Sequence, residues 1–246
     1  MNVLITGGAG YIGSHVGRLL TEAGHSVVSV DDFSTGISDR VQHESYELAL
    51  ENPDAEKELA RILKTHHIET VIHFAARKQV GESVQKPELY FQSNVGGLLN
   101  LLNAMKTVGV KKLVFSSSAA VYGMPDVEQV TEQSSTNPIN PYGQTKLVGE
   151  WMIDNAKVWG LSAVSLRYFN VAGTGWPDLA DKQALNLIPI AISKIRDGEP
   201  VSVFGDDYQT EDGSCIRDYI HVMDLARAHI DAIPQLKNPG NEVFNV

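Results

Sequence analysis

The chain has 246 residues, with 20 Lys+Arg against 30 Asp+Glu and a formal net charge of −10. That length supports one large domain, or one and a half, with a core that needs no disulfide or metal staple. The lone Cys215 excludes an intramolecular disulfide framework and a multi-thiolate zinc site, and the acidic balance argues against nucleic acid or an anionic membrane as partner.

No apolar run approaches the ~18 residues that a membrane span requires. Met1 leads straight into VLIT, so no signal peptide is expected and the chain is assigned to the cytoplasm. Residues 3–6 read as a buried strand and 12–23 as a helix ending at Gly24, followed by a strand at 26–30. A helix over 54–65 carries Asp54 and Glu56 in its first turn, where carboxylates favour the helix dipole. A strand at 70–74, a helix near 89–108 and a strand at 112–116 come next. A helix over 142–159, stopped by Gly160, leads to a strand at 162–167. Strands that are apolar throughout, alternating with helices, predict a doubly wound parallel α/β sheet of Rossmann type. Beyond Tyr168 the rhythm breaks: 171–186 reads as a loop, followed by a helix at 187–197 and a strand at 201–204. A strand at 219–222 and a helix at 224–233 follow, and the chain stops at Asn245-Val246 in another strand-like stretch.

Gly7-Gly8-Ala9-Gly10-Tyr11-Ile12-Gly13 lies between the first strand and the first helix. Glycines there permit a tight turn and let the backbone approach a pyrophosphate, which then sits at a helix N-terminus. The second strand ends at Asp31, 18 residues after Gly13, where a carboxylate accepts both adenosine ribose hydroxyls. Asp31 and Asp32 also repel a 2′-phosphate, which favours NAD over NADP.

Tyr142 and Lys146 are four apart at the start of a helix and share one face. A nearby ammonium favours the phenolate, so the tyrosine can take a proton from a hydroxyl. Ser116-Ser117-Ser118 ends a strand at the carboxyl edge of the sheet, where one serine can hydrogen-bond the same hydroxyl. His73, in an apolar strand, reads as a core residue, the His66-His67 pair lacks convergent ligands, and no metal is assigned. Cys215 has no evident base and reads as a wall residue.

GGAGYIG, SSSAAVYG and YGQTK together resemble the extended short-chain dehydrogenase/reductase family of nucleotide-sugar enzymes. VIHFAA (71–76), KQVGESVQKP (78–87), LRYFNVAG (166–173) and FGDDYQTEDGSCIRDYIHVMDLA (204–226) narrow the resemblance to its UDP-hexose 4-epimerases. It covers the whole chain. It implies interconversion of UDP-galactose and UDP-glucose by transient oxidation at the sugar C4 with tightly bound NAD. Tyr142 would act as base, Lys146 would lower its pKa and hold the nicotinamide ribose, and Ser118 would bond the 4-oxygen. Gly7, Gly10, Tyr11, Ile12 and Gly13 match cofactor positions, as do Asp31, Asp32, Phe33, Ser34, Thr35 and Gly36. So do Phe74, Ala75, Ala76, Lys78, Ser93 and Phe169. Asn170, Asn186, Leu187, Phe204 and Arg217 match positions that hold the UDP-sugar. Read singly, Asn170 fits a turn cap, Phe204 a core residue, and Arg217 an ion pair with Asp218 or Asp212; their joint order favours the site.

The resemblance divides the chain into an NAD-binding unit at 1–170 and a substrate-binding region at 171–246 interleaved with the main sheet. The family continues beyond this C-terminus, so that region is expected to be incomplete. Leu48-Ala49-Leu50 stands where the family often carries an Asp toward adenine, Ser93 replaces a family Asn, and 174–184 lacks the usual loop. A 4,6-dehydratase is disfavoured because Ser118-Ala119-Ala120 supplies no carboxylate. A 4-epimerase of another UDP-sugar (a pentose or an N-acetylhexosamine) and an inactive NAD-binding fragment are the alternatives. The family implies a homodimer, for which Leu98, Leu99, Leu101 and Leu102 offer either an interface or core packing.

Overall fold

Seven parallel strands in the order β3-β2-β1-β4-β5-β6-β9 make the main sheet of the computed structural model, which describes residues 1–182, 186–203 and 205–246. In chain order, β1 (Asn2–Thr6), α1 (Tyr11–Glu22), β2 (Ser26–Asp31), β3 (Glu44–Glu47), α2 (Ala55–Thr65) and β4 (Thr70–His73) build its first half. Helices α3 (Val80–Gln85), α4 (Pro87–Tyr90) and α5 (Gly97–Val108) lead to β5 (Lys112–Ser116), α6 (Pro141–Asn155) and β6 (Ser162–Arg167). β7 (Asn170–Ala172) pairs with β8 (Tyr219–His221) in a small parallel sheet, with α7 (Leu187–Arg196) between them. Helix α8 (Val222–Ala232) precedes β9 (Gly240–Asn245), which returns to pair with β6.

Both faces of the sheet are covered, which is why its central strands are apolar at nearly every position. Leu4, Val71, Leu113 and Ala163 face one core with α2, α5 and α6; Val3, Ile5, Ile72, Val114 and Val164 face the other with α1 and α8. The strand order reverses between β1 and β4, so the crevice outside their carboxyl ends is the switch point where ligands bind in such sheets.

Several expectations change. β3 was not evident from periodicity, because Glu44, Ser45 and Glu47 lie exposed on an edge strand with one neighbour. The helix expected over 89–108 is α4 and α5 joined by a π-helical stretch at Phe91–Gly96. The loop expected at 171–186 contains most of β7 and a 3₁₀ turn at Pro177–Leu179. No strand forms over 201–203, where Val203 is 80% exposed with no strand beside it, and Phe204 lies outside the described residues. Leu98, Leu101 and Leu102 are core residues, and of the four leucines only Leu99 is exposed. Among the described residues no helix is long and apolar enough to cross a membrane.

Candidate active site

β1 hands the chain to α1 through a turn that leaves no room for side chains. Gly7 takes φ 74°, and a Cβ there would sit 2.7 Å from the Ala75 amide nitrogen. A Cβ on Gly13 would collide with the Gly7 carbonyl. Gly10 starts α1 without a side-chain cap, so the first N–H groups of Tyr11, Ile12 and Gly13 stay open at the crevice. A cradle that any Cβ would fill, ending in uncapped helix amides, fits a pyrophosphate. Tyr11 itself is buried, and its hydroxyl donates to the Gly173 carbonyl.

Asp31 lies buried at the end of β2. Its Oδ2 accepts the Ala9 N–H and its Oδ1 the Phe33 N–H, each at 2.9 Å. Burial raises its pKa and the two amides oppose that rise. Phe33 takes a left-handed φ of 54° to present its amide, and Ser34 donates backbone and hydroxyl to Asp32 Oδ1 at 2.9 and 2.7 Å. The Ile37 N–H, just past Thr35 and Gly36, bonds the Ala9 carbonyl at 3.0 Å and fastens this loop to the glycine turn. Asp32, Glu47, Leu48, Ala49 and Asn52 line a cavity of about 340 Å³ outside β2 and β3. Leu48 and Ala49, of the Leu48-Ala49-Leu50 stretch that departs from the family pattern, both face this cavity.

The residues expected to carry chemistry meet at the carboxyl end of β5. Asn140 caps α6 by accepting the Gly143 N–H at 2.9 Å, and Pro141 sets the first turn. This places half-buried Tyr142 and buried Lys146 on successive turns. Ser118 Oγ accepts the Ala120 N–H at 3.1 Å and lies close to the Tyr142 phenol. Burial raises the Tyr142 pKa, and the neighbouring Ser118 hydroxyl opposes that rise. Lys146 Nζ donates to the Ser116 carbonyl at 2.7 Å and lies 6.0 Å from the Tyr142 ring centroid. Its attention is thus divided, and burial, not the ammonium, dominates the phenol. Burial also lowers Lys146 itself to about 7, with Glu150 pulling the other way.

His73 is a core histidine as expected: its Nδ1 meets Thr6 Oγ1 at 2.6 Å and its ring stacks on Phe115 at 5.8 Å. Burial and then Lys146 push it down to about 3. Phe74 sits 4.6 Å from the His229 ring, and Ala75 follows on the Thr6 carbonyl at 3.1 Å. Ala76 is half-buried and Phe169 37% exposed. Ser93 Oγ donates to Glu51 at 3.0 Å and accepts from Arg77 at 3.3 Å, while buried Asn94 bonds the Arg77 backbone and Thr145.

Asn186, expected on the substrate side, and Lys78, expected at the cofactor, come together with Gln79, Val80 and Gly81 on a cavity of about 350 Å³. Asn170 Nδ2 donates to the Asp218 carbonyl at 3.0 Å. Exposed Arg217 donates to its neighbour Ile216's carbonyl at 2.8 Å, and Leu187 is 57% exposed on a helix with no buried residue. Among the described residues no cluster of His, Cys, Asp or Glu could hold a metal.

Glu150 escaped the sequence reading. It lies one turn beyond Lys146 on the same helix face, a spacing that signals it. Its carboxylate accepts Ser117 Oγ at 2.5 Å and clasps Arg167 at 2.9 and 2.6 Å.

A doubly wound sheet with a glycine turn, a carboxylate closing the second strand and a hydroxyl–lysine cluster at the carboxyl edge defines a dinucleotide-binding α/β protein. The chain belongs to the NAD dependent epimerase/dehydratase family, whose model matches residues 3–246. It is 43% identical to UDP-glucose 4-epimerase of Corynebacterium glutamicum over 100% of this chain and 75% of that protein. It is also similar to the crystal structure of UDP-glucose 4-epimerase from Brucella ovis in complex with NAD, at TM-score 0.92 and 42% identity over 100% of this chain and 77% of that one. The Bifidobacterium longum UDP-glucose 4-epimerase, solved with NAD+ and UDP, matches at TM-score 0.90 and 37% identity over 100% and 78%.

Proposed function

We propose that this chain is an NAD-dependent 4-epimerase that interconverts UDP-galactose and UDP-glucose. The observation that carries the reading is the convergence of Ser118, Tyr142 and buried Lys146 at the carboxyl edge of a sheet whose first strand ends in a side-chain-free glycine turn. The identities of 40% and above to proteins named UDP-glucose 4-epimerase support the same activity. Gly7, Gly10 and Gly13 with the α1 amides would hold the NAD pyrophosphate, and Asp31 the adenosine ribose. When bound, NAD supplies the acceptor and donor of hydride for the sugar C4. Tyr142 takes the 4-hydroxyl proton at its phenol oxygen while Ser118 Oγ bonds the same oxygen. Lys146, one turn further along the helix, favours the phenolate when it is protonated. Tyr142 returns the proton once the oxidised sugar has turned over, so the cycle needs no external acid or base.

Residues 1–170 form the NAD-binding unit in this reading and 171–246 the substrate side, and Asn186 of the second shares a cavity with Lys78 of the first. Arg217, Asn170, Leu187 and Phe204 belong to that substrate side. The exposed apolar side chains Val84, Phe91, Leu99 and Trp151, 62, 38, 49 and 57% exposed, support a homodimer. The exposed free Cys215 suits a reducing cytoplasm. The test is a coupled assay across UDP-sugars without added NAD, together with nicotinamide absorbance released on denaturation. Turnover of UDP-galactose is expected; released NAD with no turnover of any UDP-sugar would leave only a cofactor-binding module.

A further inference from the structure

The buried carboxylate of Glu150 has no part in the proton transfer described above, yet it lies among the groups that carry it. Glu150 and Arg167 side chains are 5 and 6% exposed and form a two-point ion pair. A buried pair of this kind costs desolvation and adds little stability of its own, so its geometry is the informative part. Glu150 Oε1 also accepts the Ser117 hydroxyl at 2.5 Å. Ser117 stands between Ser116, whose carbonyl receives Lys146 at 2.7 Å, and Ser118, whose hydroxyl meets Tyr142. One helix therefore faces one turn at three successive serines, with Lys146 bonded at Ser116, Glu150 bonded at Ser117 and Tyr142 close to Ser118. Arg167 continues the chain of bonds, donating to the Tyr122 hydroxyl at 2.9 Å, which donates to Asn245 at 2.7 Å on the last strand.

We propose that Glu150 is a positioning residue for the epimerase reaction, holding the 116–118 turn and the Lys146 ammonium in register with Tyr142, with Arg167 as its fixed counter-ion. The inference rests on the catalytic reading of Ser118, Tyr142 and Lys146. Glu150 acts in two ways. Through Ser117 it sets where Ser118 Oγ sits, and a displacement of about 1 Å in such a group costs roughly 100-fold in rate. Through its charge it favours the protonated form of Lys146. The other groups facing Lys146 are Tyr142 on its own helix, Phe115 and the Ser116 carbonyl on β5, His73 on β4 and His229 on α8. Tyr168, beyond β6, joins them through its hydrogen bond to Ser116. Apart from the Tyr142 phenolate of the reaction none of these groups is an anion, so Glu150 supplies the carboxylate that acts on the ammonium.

The test compares Glu150→Gln, Ser117→Ala and the double variant Glu150→Leu/Arg167→Met with the unmodified protein in its NAD-loaded form. Three quantities are read: kcat and KM for UDP-galactose, bound NAD, and the titration midpoint of Lys146 by NMR of isotope-labelled lysine. Expected are a kcat lowered by about 10- to 100-fold with KM held within about 3-fold, and a Lys146 midpoint moved to lower pH in both Glu150 variants. The double variant replaces the pair by apolar groups and is expected to keep its melting temperature while losing rate, which a purely structural pair would not do. Variants that fold, hold NAD and keep both kcat and the Lys146 midpoint overturn the proposal. If Glu150→Gln does not fold, the Ser117→Ala and double variants decide it. If the unmodified protein turns over no UDP-sugar, the epimerase reading fails, and the Lys146 midpoint alone still decides whether Glu150 holds the ammonium.

Discussion

Lys146 Nζ donates to the Ser116 carbonyl at 2.7 Å, so the second turn of α6 is bolted to the carboxyl end of β5. The contact joins two segments 30 residues apart in sequence and fixes the distance between the turn bearing Ser118 and the helix bearing Tyr142.

Replacing Tyr142 by Phe keeps the ring and removes the hydroxyl that lies close to Ser118. Turnover of UDP-galactose is expected to fall by about 10²- to 10⁴-fold, the usual contribution of a positioned acid–base group. Bound NAD is expected to stay unchanged, since the glycine turn and Asp31 that would hold it are left intact. Steady-state assays and the absorbance of released nucleotide check both parts, and full activity in the variant would remove Tyr142 from the mechanism.

Asp31→Ala strips the buried Ala9 amide and the part-buried Phe33 amide of their acceptor. Each unsatisfied group costs about 1–3 kcal/mol. The variant is expected to melt lower and to leave gel filtration with little NAD, because the ribose loses its acceptor as well. Retention of stoichiometric NAD would contradict the assignment.

Gly13→Ala puts a methyl group into the Gly7 carbonyl. Backbone cannot yield there as a flexible side chain would, and overpacking of this kind costs about 1–3 kcal/mol. For a domain of this size that corresponds to a melting temperature lower by roughly 2–12 °C. Calorimetry with and without added NAD reads the effect, which added NAD should only partly offset.

His229 is fully buried on α8, its Nδ1 on the Leu225 carbonyl at 2.9 Å and its Nε2 without a hydrogen-bond partner. Burial lowers its pKa to about 4, against 6.5 for the free side chain. Between those values the unfolded chain binds a proton that the folded one refuses, so stability falls as pH falls from about 6.5 toward 4. The shift corresponds to roughly 3 kcal/mol. His73, held down to about 3, adds in the same direction over a wider window. Denaturant unfolding from pH 7 to 4 is expected to show this loss, with a shallower slope in His229→Leu; an unchanged slope would mean the ring charges within the fold.

The Rossmann pattern, the glycine turn, Asp31, and the Ser118, Tyr142 and Lys146 set were legible in the chain alone. Each is written in local periodicity or in a short spacing, and local rules govern a central strand, a strand-to-helix turn and two residues one helical turn apart. Tertiary contacts decided the remainder. β3 pairs at the sheet edge despite the polar pattern of Glu44 and Glu47, because one neighbouring strand satisfies its backbone whatever its side chains do. β9 closes the sheet against β6 from 73 residues further along the chain, a separation no local pattern encodes. The Leu98 to Leu102 stripe looked equally suited to an interface and to a core, and only the packing of α5 on α2 and the sheet assigned three of its four leucines to the interior. The balance of charge at the site also belonged to the folded state. Spacing alone put an ammonium near a phenol, but the Ser116 carbonyl, the burial of both groups and the Glu150–Arg167 pair determine how far that ammonium reaches, because electrostatic strength depends on what surrounds a charge as much as on what lies next to it.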